Sequence, residues 1–170
     1  MLGNKMAVAL NAQINKEMYS AYLYMAMSAY SEERGLSGFA NWFMVQYKEE
    51  MTHAMKIYHY LQEQGAKINL KAIEEPPSDF QSPLEMFKKT LVHEQFVTKS
   101  INELVDLAIS ENDHATQIFL QWFVTEQVEE EANDQEIIGK LEMIGDNPGA
   151  LFMMDRELGS RTFTDETQEE

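Results

Sequence analysis

Apolar residues recur at steps of three and four along nearly the whole chain, while the alternation of a half-buried strand is scarce. That period is the signature of amphipathic α-helices. In a first segment, about residues 5–33, Met6, Leu10, Ile14, Met18, Ala21, Met25 and Ala29 fall on one stripe. Arg34-Gly35 marks its end, with the arginine beside the last carbonyls and the glycine able to take a left-handed cap. A second segment, about 37–64, repeats the pattern through Phe39, Phe43, Tyr47, Ala54, Ile57 and Leu61 and stops at Gly65.

Residues 66–82 lose the period and carry Pro76-Pro77 and Ser78-Asp79, which reads as a long connection. Ser82-Pro83-Leu84-Glu85 then reads as a helix start: a serine N-cap, proline at the first helical position and a glutamate closing a capping box. This third helix runs to about Ser110, and Glu111-Asn112-Asp113 makes a tight turn. A fourth runs from about 114 to 144 and stops at Gly145. Asn147-Pro148 opens a short fifth helix that ends near 158. The expected organisation is one domain over 1–160 and a polar tail, 161–170, that frays.

Four long helices in two hairpins predict an all-α four-helix bundle. The middle connection decides its topology. A helix of about 28 residues is about 42 Å long, and a connection of about 17 residues extends to about 55 Å. It is long enough to cross the whole bundle and set the second and third helices parallel; a folded-up loop also fits.

Composition narrows the function classes. No apolar run in the 170 residues approaches the ~20 of a membrane span, and no signal-peptide core follows the first residues. The absence of cysteine removes disulfides, thiolate metal sites and iron–sulfur clusters, and it fits a reducing cytoplasm. A net charge of −16 disfavours nucleic acid as a partner and permits the attraction of cations. The twelve methionines read as pliable core filler.

Each long helix carries a candidate metal ligand: Glu17 on the first, Glu50 and His53 on the second, Glu94 on the third, and Gln127 with Glu130 on the fourth. Glu50 and His53 are spaced i,i+3 and share a helix face. Glu17 lies about 18 residues before the first hairpin turn, and Glu50 and His53 lie about 15–18 after it, so in an antiparallel pair they meet at one height. Glu94, Gln127 and Glu130 are matched about the second turn in the same way. All of them share faces with apolar residues, where a carboxylate is costly unless paired, hydrogen-bonded or metal-bound. Taken singly, each is an ordinary surface side chain; a second E-x-x-H, Glu111 to His114, falls at a turn and is not read as a site. Together they predict an interior metal site. Its oxygen-rich set with one imidazole suits iron, manganese or zinc. A bridging Glu50 allows two ions, and two Fe(II) can supply two electrons to O2; Glu130 can bridge or bind the second ion.

At these residues the chain resembles the ferritin family, and closely its prokaryotic non-haem members. The matching blocks are Asn11 to Glu17, Tyr22-Leu23-Tyr24, Glu49-Glu50-Met51-Thr52-His53, His93-Glu94 and Trp122 to Glu130. The resemblance covers about residues 1–160 and implies a ferritin-like bundle with a long crossover and a short fifth helix at a four-fold axis. It implies that Glu17, Glu50 and His53 hold a first iron. Glu50, Glu94 and Glu130 hold a second, with Gln127 at its edge. Glu49, Glu126, Glu129 and Glu130 hold a third, inner iron. Tyr24 hydrogen-bonds beside the site or donates an electron, and Trp122 is a nearby aromatic whose role is equally well core packing. The implied activity is that of a ferroxidase, oxidising Fe(II) with O2 or hydrogen peroxide, followed by ferric mineral storage in a hollow homo-oligomer of 24 subunits.

Bacterioferritins are similar but place a second Glu-x-x-His on the fourth helix, where this chain has Gln127 and Glu130. Met51 occupies their haem-ligand position, yet a methionine there also occurs in haem-free members, so haem is not expected. Animal ferritins line their three-fold pores with acids near the start of the fourth helix, and residues 115–121 have none. The alternatives are a haem-containing bacterioferritin, a small di-iron peroxidase or oxygenase, and an unreactive shell or metal buffer.

Overall fold

In a computed structural model, residues 2–165 and 167 are described, and among them every regular element is helical. The helices are α1 (Asn4–Glu33), α2 (Ser37–Glu63), α3 (Pro83–Ser110), α4 (His114–Ile144) and α5 (Pro148–Leu158). Their ends follow the local chemistry. Gly35 and Gly65 take φ of +73° and +66° just beyond α1 and α2, the left-handed conformation open to a residue without a Cβ. Ser82 Oγ accepts from Glu85 N at 3.2 Å, as the capping sequence predicts. The reciprocal bond goes one residue further out than expected: Glu85 accepts from Gln81 N at 3.0 Å. Asn147 Oδ1 caps α5 by accepting from Gly149 and Ala150.

The connection between α2 and α3 runs along α1. Asn11 Nδ2 donates to Lys67 O at 3.0 Å and Asn15 Nδ2 to Ala72 O at 3.2 Å, and Tyr30 Oη donates to Phe80 O. From Asn11 to Tyr30 is about 28 Å of helix. The segment is therefore the long crossover, and α2 and α3 run parallel, each antiparallel to its hairpin partner.

The core is divided. One apolar cluster holds Met6, Leu10, Ile14, Ile57, Ile101, Leu120 and Phe123. The other is aromatic-rich, with Tyr24, Phe39, Trp42, Phe43 and Phe87, and reaches α5 through Met154 and Leu158. Each fully buried large side chain contributes about 1.5–3 kcal/mol, so both halves are strongly held. A layer of buried polar residues lies between them.

α5 docks through a specific contact. Asp155 Oδ1 accepts from Gly38 N at 2.9 Å and Phe39 N at 3.1 Å, capping the start of α2 from a distance in sequence. A Cβ at position 38 would lie 1.6 Å from Asp155 O, so glycine is required by the closeness of the two backbones. Over the described part of the tail, expected to fray, two side chains of α2 reach its backbone. Asn41 Nδ2 donates to Arg161 O at 2.9 Å, and Lys56 Nζ donates to Thr167 O at 3.2 Å. Residues 166 and 168–170 of that tail lie outside the described residues.

Candidate metal centre

The polar layer is where the sequence heights place it. Glu17 of α1, Glu50 and His53 of α2, Glu94 of α3, and Gln127 and Glu130 of α4 are all buried. One ligand atom each from Glu17, Glu50 and His53 lie within 4.8 Å of one another, a spacing that fits a single ion among them. His53 faces two ways: Nδ1 lies 3.5 Å from Glu50 Oε2, and Nε2 lies 3.8 Å from Glu126 Oε1. The Trp122 ring stands edge-on to the imidazole with centroids 5.3 Å apart, so it wedges the histidine in place.

Glu94 and Glu130 form the other half. Tyr24 Oη donates to Glu94 Oε1, and Gln127 Nε2 donates to Glu94 Oε2 at 3.0 Å. Gln46 Nε2 donates to Glu130 Oε2 at 2.9 Å. Glu17 is held by Gln13, whose Nε2 donates to Oε1 at 2.7 Å. Gln13 is steadied in turn, accepting from the Ser100 hydroxyl at 2.5 Å, while Lys16 Nζ bonds the same hydroxyl. Gln13 and Gln46 each stand one turn before a ligand, on the same inward stripe. A polar residue at that spacing was the available signal, but sequence alone does not separate it from a solvated face.

Burial drives the electrostatics. It pushes the Glu17 carboxyl up to about 7, against the lowering effect of the Gln13 and Glu50 hydrogen bonds. Glu50 is pushed well above the usual carboxylate range by burial, then by Glu94, Glu17 and Glu130. Glu130 is raised in the same way by burial, then Glu94 and Glu49, and Glu94 is raised by burial. Burial and the charges of Glu94 and Glu50 also raise the Tyr24 phenol, which keeps it protonated and able to donate. Burial lowers His53 to about 4, so its imidazole is neutral and has a lone pair for a cation. Several carboxyls crowded in a dry interior cannot all ionise without a compensating positive charge, and a bound divalent cation supplies one.

The expected third set is less gathered. Glu49 and Glu126 are half-buried, and Glu126 reaches His53. Glu49 acts electrostatically on Glu130 and pairs with Arg161 Nη2 at 2.7 Å. Glu129 is exposed on α4. Met51 lines an open hollow with Met55, His59 and Phe119. Two further residues escaped the sequence reading: Asp134, buried one turn beyond Glu130, and Arg161 in the tail. Asp134 continues the inward stripe of α4, the one signal that could have marked it, whereas nothing in the tail's pattern marks Arg161.

Residues 7–144 match the family model described as Ferritin-like domain. The chain is 45% identical over 166 residues to the bacterial non-heme ferritin of Staphylococcus aureus strain MRSA252, covering 98% of this chain and all of that protein. It is 42% identical over 166 residues to the namesake from Staphylococcus haemolyticus strain JCSC1435, with the same coverage. Among solved structures, an open pore ferritin from the hyperthermophilic archaeon Archaeoglobus fulgidus superposes with a TM-score of 0.95 at 50% identity, over 95% of this chain and all of that one. An engineered closed form of the A. fulgidus ferritin does so with a TM-score of 0.95 at 51% identity, over 96% and 100%. With its bundle, its crossover and its buried carboxylate layer, the chain belongs to the ferritin family.

Proposed function

We propose that this protein is an iron-storage ferritin subunit that oxidises Fe(II) at a paired site within its own bundle. The supporting observation is the convergence of buried Glu17, Glu50 and His53 beside Glu94 and Glu130, with no cationic side chain among those five. Iron is the substrate. Glu17, Glu50 and His53 bind one Fe(II). Glu50, Glu94 and Glu130 bind the second, Glu50 bridging and Gln127 bordering it. Two Fe(II) give two electrons to O2, which takes two protons and leaves as hydrogen peroxide; peroxide serves as the alternative oxidant.

The chain's residues prepare that step. Gln13, Gln46 and Gln127 orient three carboxylates by hydrogen bonds. Tyr24 holds Glu94 through its hydroxyl, with electron donation the alternative role. The two apolar clusters exclude water, which strengthens the attraction of the carboxylates for the ions. Because these carboxyls hold protons near neutrality, uptake of Fe(II) releases protons. Glu49, Glu126, Glu129 and Glu130 form an inner station through which ferric iron passes to a mineral enclosed by 24 subunits. The reading is haem-free, and it places the protein in the cytoplasm; among the described residues no helix is long and apolar enough to cross a membrane.

Rapid-mixing oxidation of variants tests the assignment. Glu50→Ala and His53→Ala should slow the fast phase by about 100-fold or more. Glu49→Ala should spare that phase and alter later turnover. A fast phase that survives Glu50→Ala contradicts the di-iron reading, and one abolished by Glu49→Ala contradicts the inner-station reading.

A further inference from the structure

After α5 the chain turns back along α2 as a strap. Asn41 holds its Arg161 carbonyl, Lys48 lies over the Phe163 ring, and Lys56 holds the Thr167 carbonyl. The strap therefore passes the level of Glu49. The Arg161 guanidinium stacks on Trp42 at 4.7 Å from the ring centroid and donates from Nη2 to Glu49 Oε2 at 2.7 Å. Its other terminal nitrogen, Nη1, is buried and has no hydrogen-bond partner among the described residues.

Asp134 of α4 is the complementary orphan. It is 1% exposed, and neither carboxylate oxygen has a hydrogen-bond partner among the described residues. The two groups are within electrostatic reach: the Arg161 charge pulls down the Asp134 and Glu130 carboxyls. A buried guanidinium nitrogen and a buried carboxyl, each left without a hydrogen-bond partner, are both costly. The cost has a use if the two meet in another state of the protein.

We propose that Arg161 is a tethered stand-in for the inner iron: it neutralises Glu49 while no ion is bound there, and its guanidinium swings to Asp134 when a divalent cation takes Glu49. The proposal rests on Glu49 being an iron ligand, as read above. Two cations on one carboxylate repel each other, so an arriving ion must displace the guanidinium. The long arginine stem allows the head group to move while the strap stays attached at Asn41. Asp134 offers the displaced guanidinium a buried partner, its carboxyl giving up a proton as the ion pair forms, so the displacement does not strand the charge. Arg161 thereby sets how readily the inner station fills, and Asp134 positions the displaced arginine without touching the ion.

Zinc titration of the assembled protein by calorimetry tests this without any redox step. The relevant event is the zinc binding lost in Glu49→Gln, and the two interior zinc sites act as an internal control for folding. Arg161→Gln should tighten that event roughly five- to tenfold, the scale of a half-buried ion pair. Arg161→Lys, which keeps the charge, should stay near wild type. Asp134→Asn should weaken the event by a similar factor with Arg161 present and have no effect in the Arg161→Gln background. Weakening by Asp134→Asn in both backgrounds overturns the proposal, since Asp134 would then itself be a ligand. No effect in either background overturns it by showing that Arg161 leaves without docking there. A Glu49-dependent zinc indifferent to Arg161 overturns the proposal alone. Absence of any Glu49-dependent zinc, Arg161→Gln included, overturns the inner-station reading and the proposal with it.

Discussion

Glu17 shows how much one side chain depends on its neighbour. Its carboxyl sits at about 7, and the Gln13 hydrogen bond is the largest influence holding it down against burial. Gln13→Leu removes that bond and leaves the Ser100 hydroxyl short of an acceptor. The Glu17 carboxyl should then rise further, and a cation must displace a more tightly held proton. Zinc uptake at the interior site, followed against pH, should shift its midpoint upward by roughly one unit; an unmoved midpoint would show that Gln13 does not orient the ligand. Glu17, Glu50, His53, Glu94, Gln127 and Glu130 were legible in the sequence because two hairpins of matched length bring six polar residues on apolar stripes to one height. Gln13, Gln46 and Asp134 stand on the same stripes, but a lone polar residue on a stripe has no partner visible in one dimension. Only the resemblance singles out Glu49, Glu126 and Glu129 as expected ligands.

At the level of elements, the helix bounds were legible almost to the residue, because several ends carry a local stop or start signal: Gly35, Gly65, Ser82-Pro83, Gly145 and Asn147-Pro148. The path of the crossover was not, since only its hydrogen bonds to Asn11, Asn15 and Tyr30 separate an extended segment from a folded one. The seating of α5 was hidden for the same reason, as it depends on Asp155 meeting Gly38 across the fold. Asp155→Ala should cost about 1–2 kcal/mol by uncapping α2. Gly38→Ala should cost about 1–3 kcal/mol by forcing the backbones apart. The pair should be less than additive because both act on one contact. Chemical denaturation of the four proteins measures this, and strict additivity would place the contact elsewhere.

For the whole molecule, the buried layer makes stability depend on pH and on metal together. Burial raises Glu17 to about 7 and Asp134 to about 8, so both hold protons more tightly folded than unfolded. The stability they contribute is complete below about pH 4 and is lost as pH rises through 7 and 8. Burial lowers His53 and His93 to about 4, so their contribution is present above about pH 6.5 and is lost as pH falls through 4. From about pH 6.5 to 8.5 the carboxyls govern, and the melting temperature of the metal-free protein should fall. Zinc should remove the part of that fall due to the ligand carboxyls by replacing their protons, and leave the part due to Asp134. Asp134→Asn should flatten part of it, with its gain appearing at the alkaline end. Calorimetric melts across that range check the sign; a metal-free melting temperature that climbs with pH would contradict it. The acidic character of the chain, with 29 Asp and Glu against 13 Lys and Arg, is thus partly internal.

Pairwise oxidation of iron by the buried layer, as proposed, has a direct test. Fe(II) is added to the assembled protein without oxygen, O2 is then admitted, and ferric absorbance, O2 consumption and particle mass are followed together. The predicted result is a fast phase that saturates at about two irons per subunit and consumes about one O2 for each pair, in a particle with the mass of a 24-subunit shell. Oxidation no faster than that of free iron, or a fast phase with no break near two irons per subunit, would contradict it.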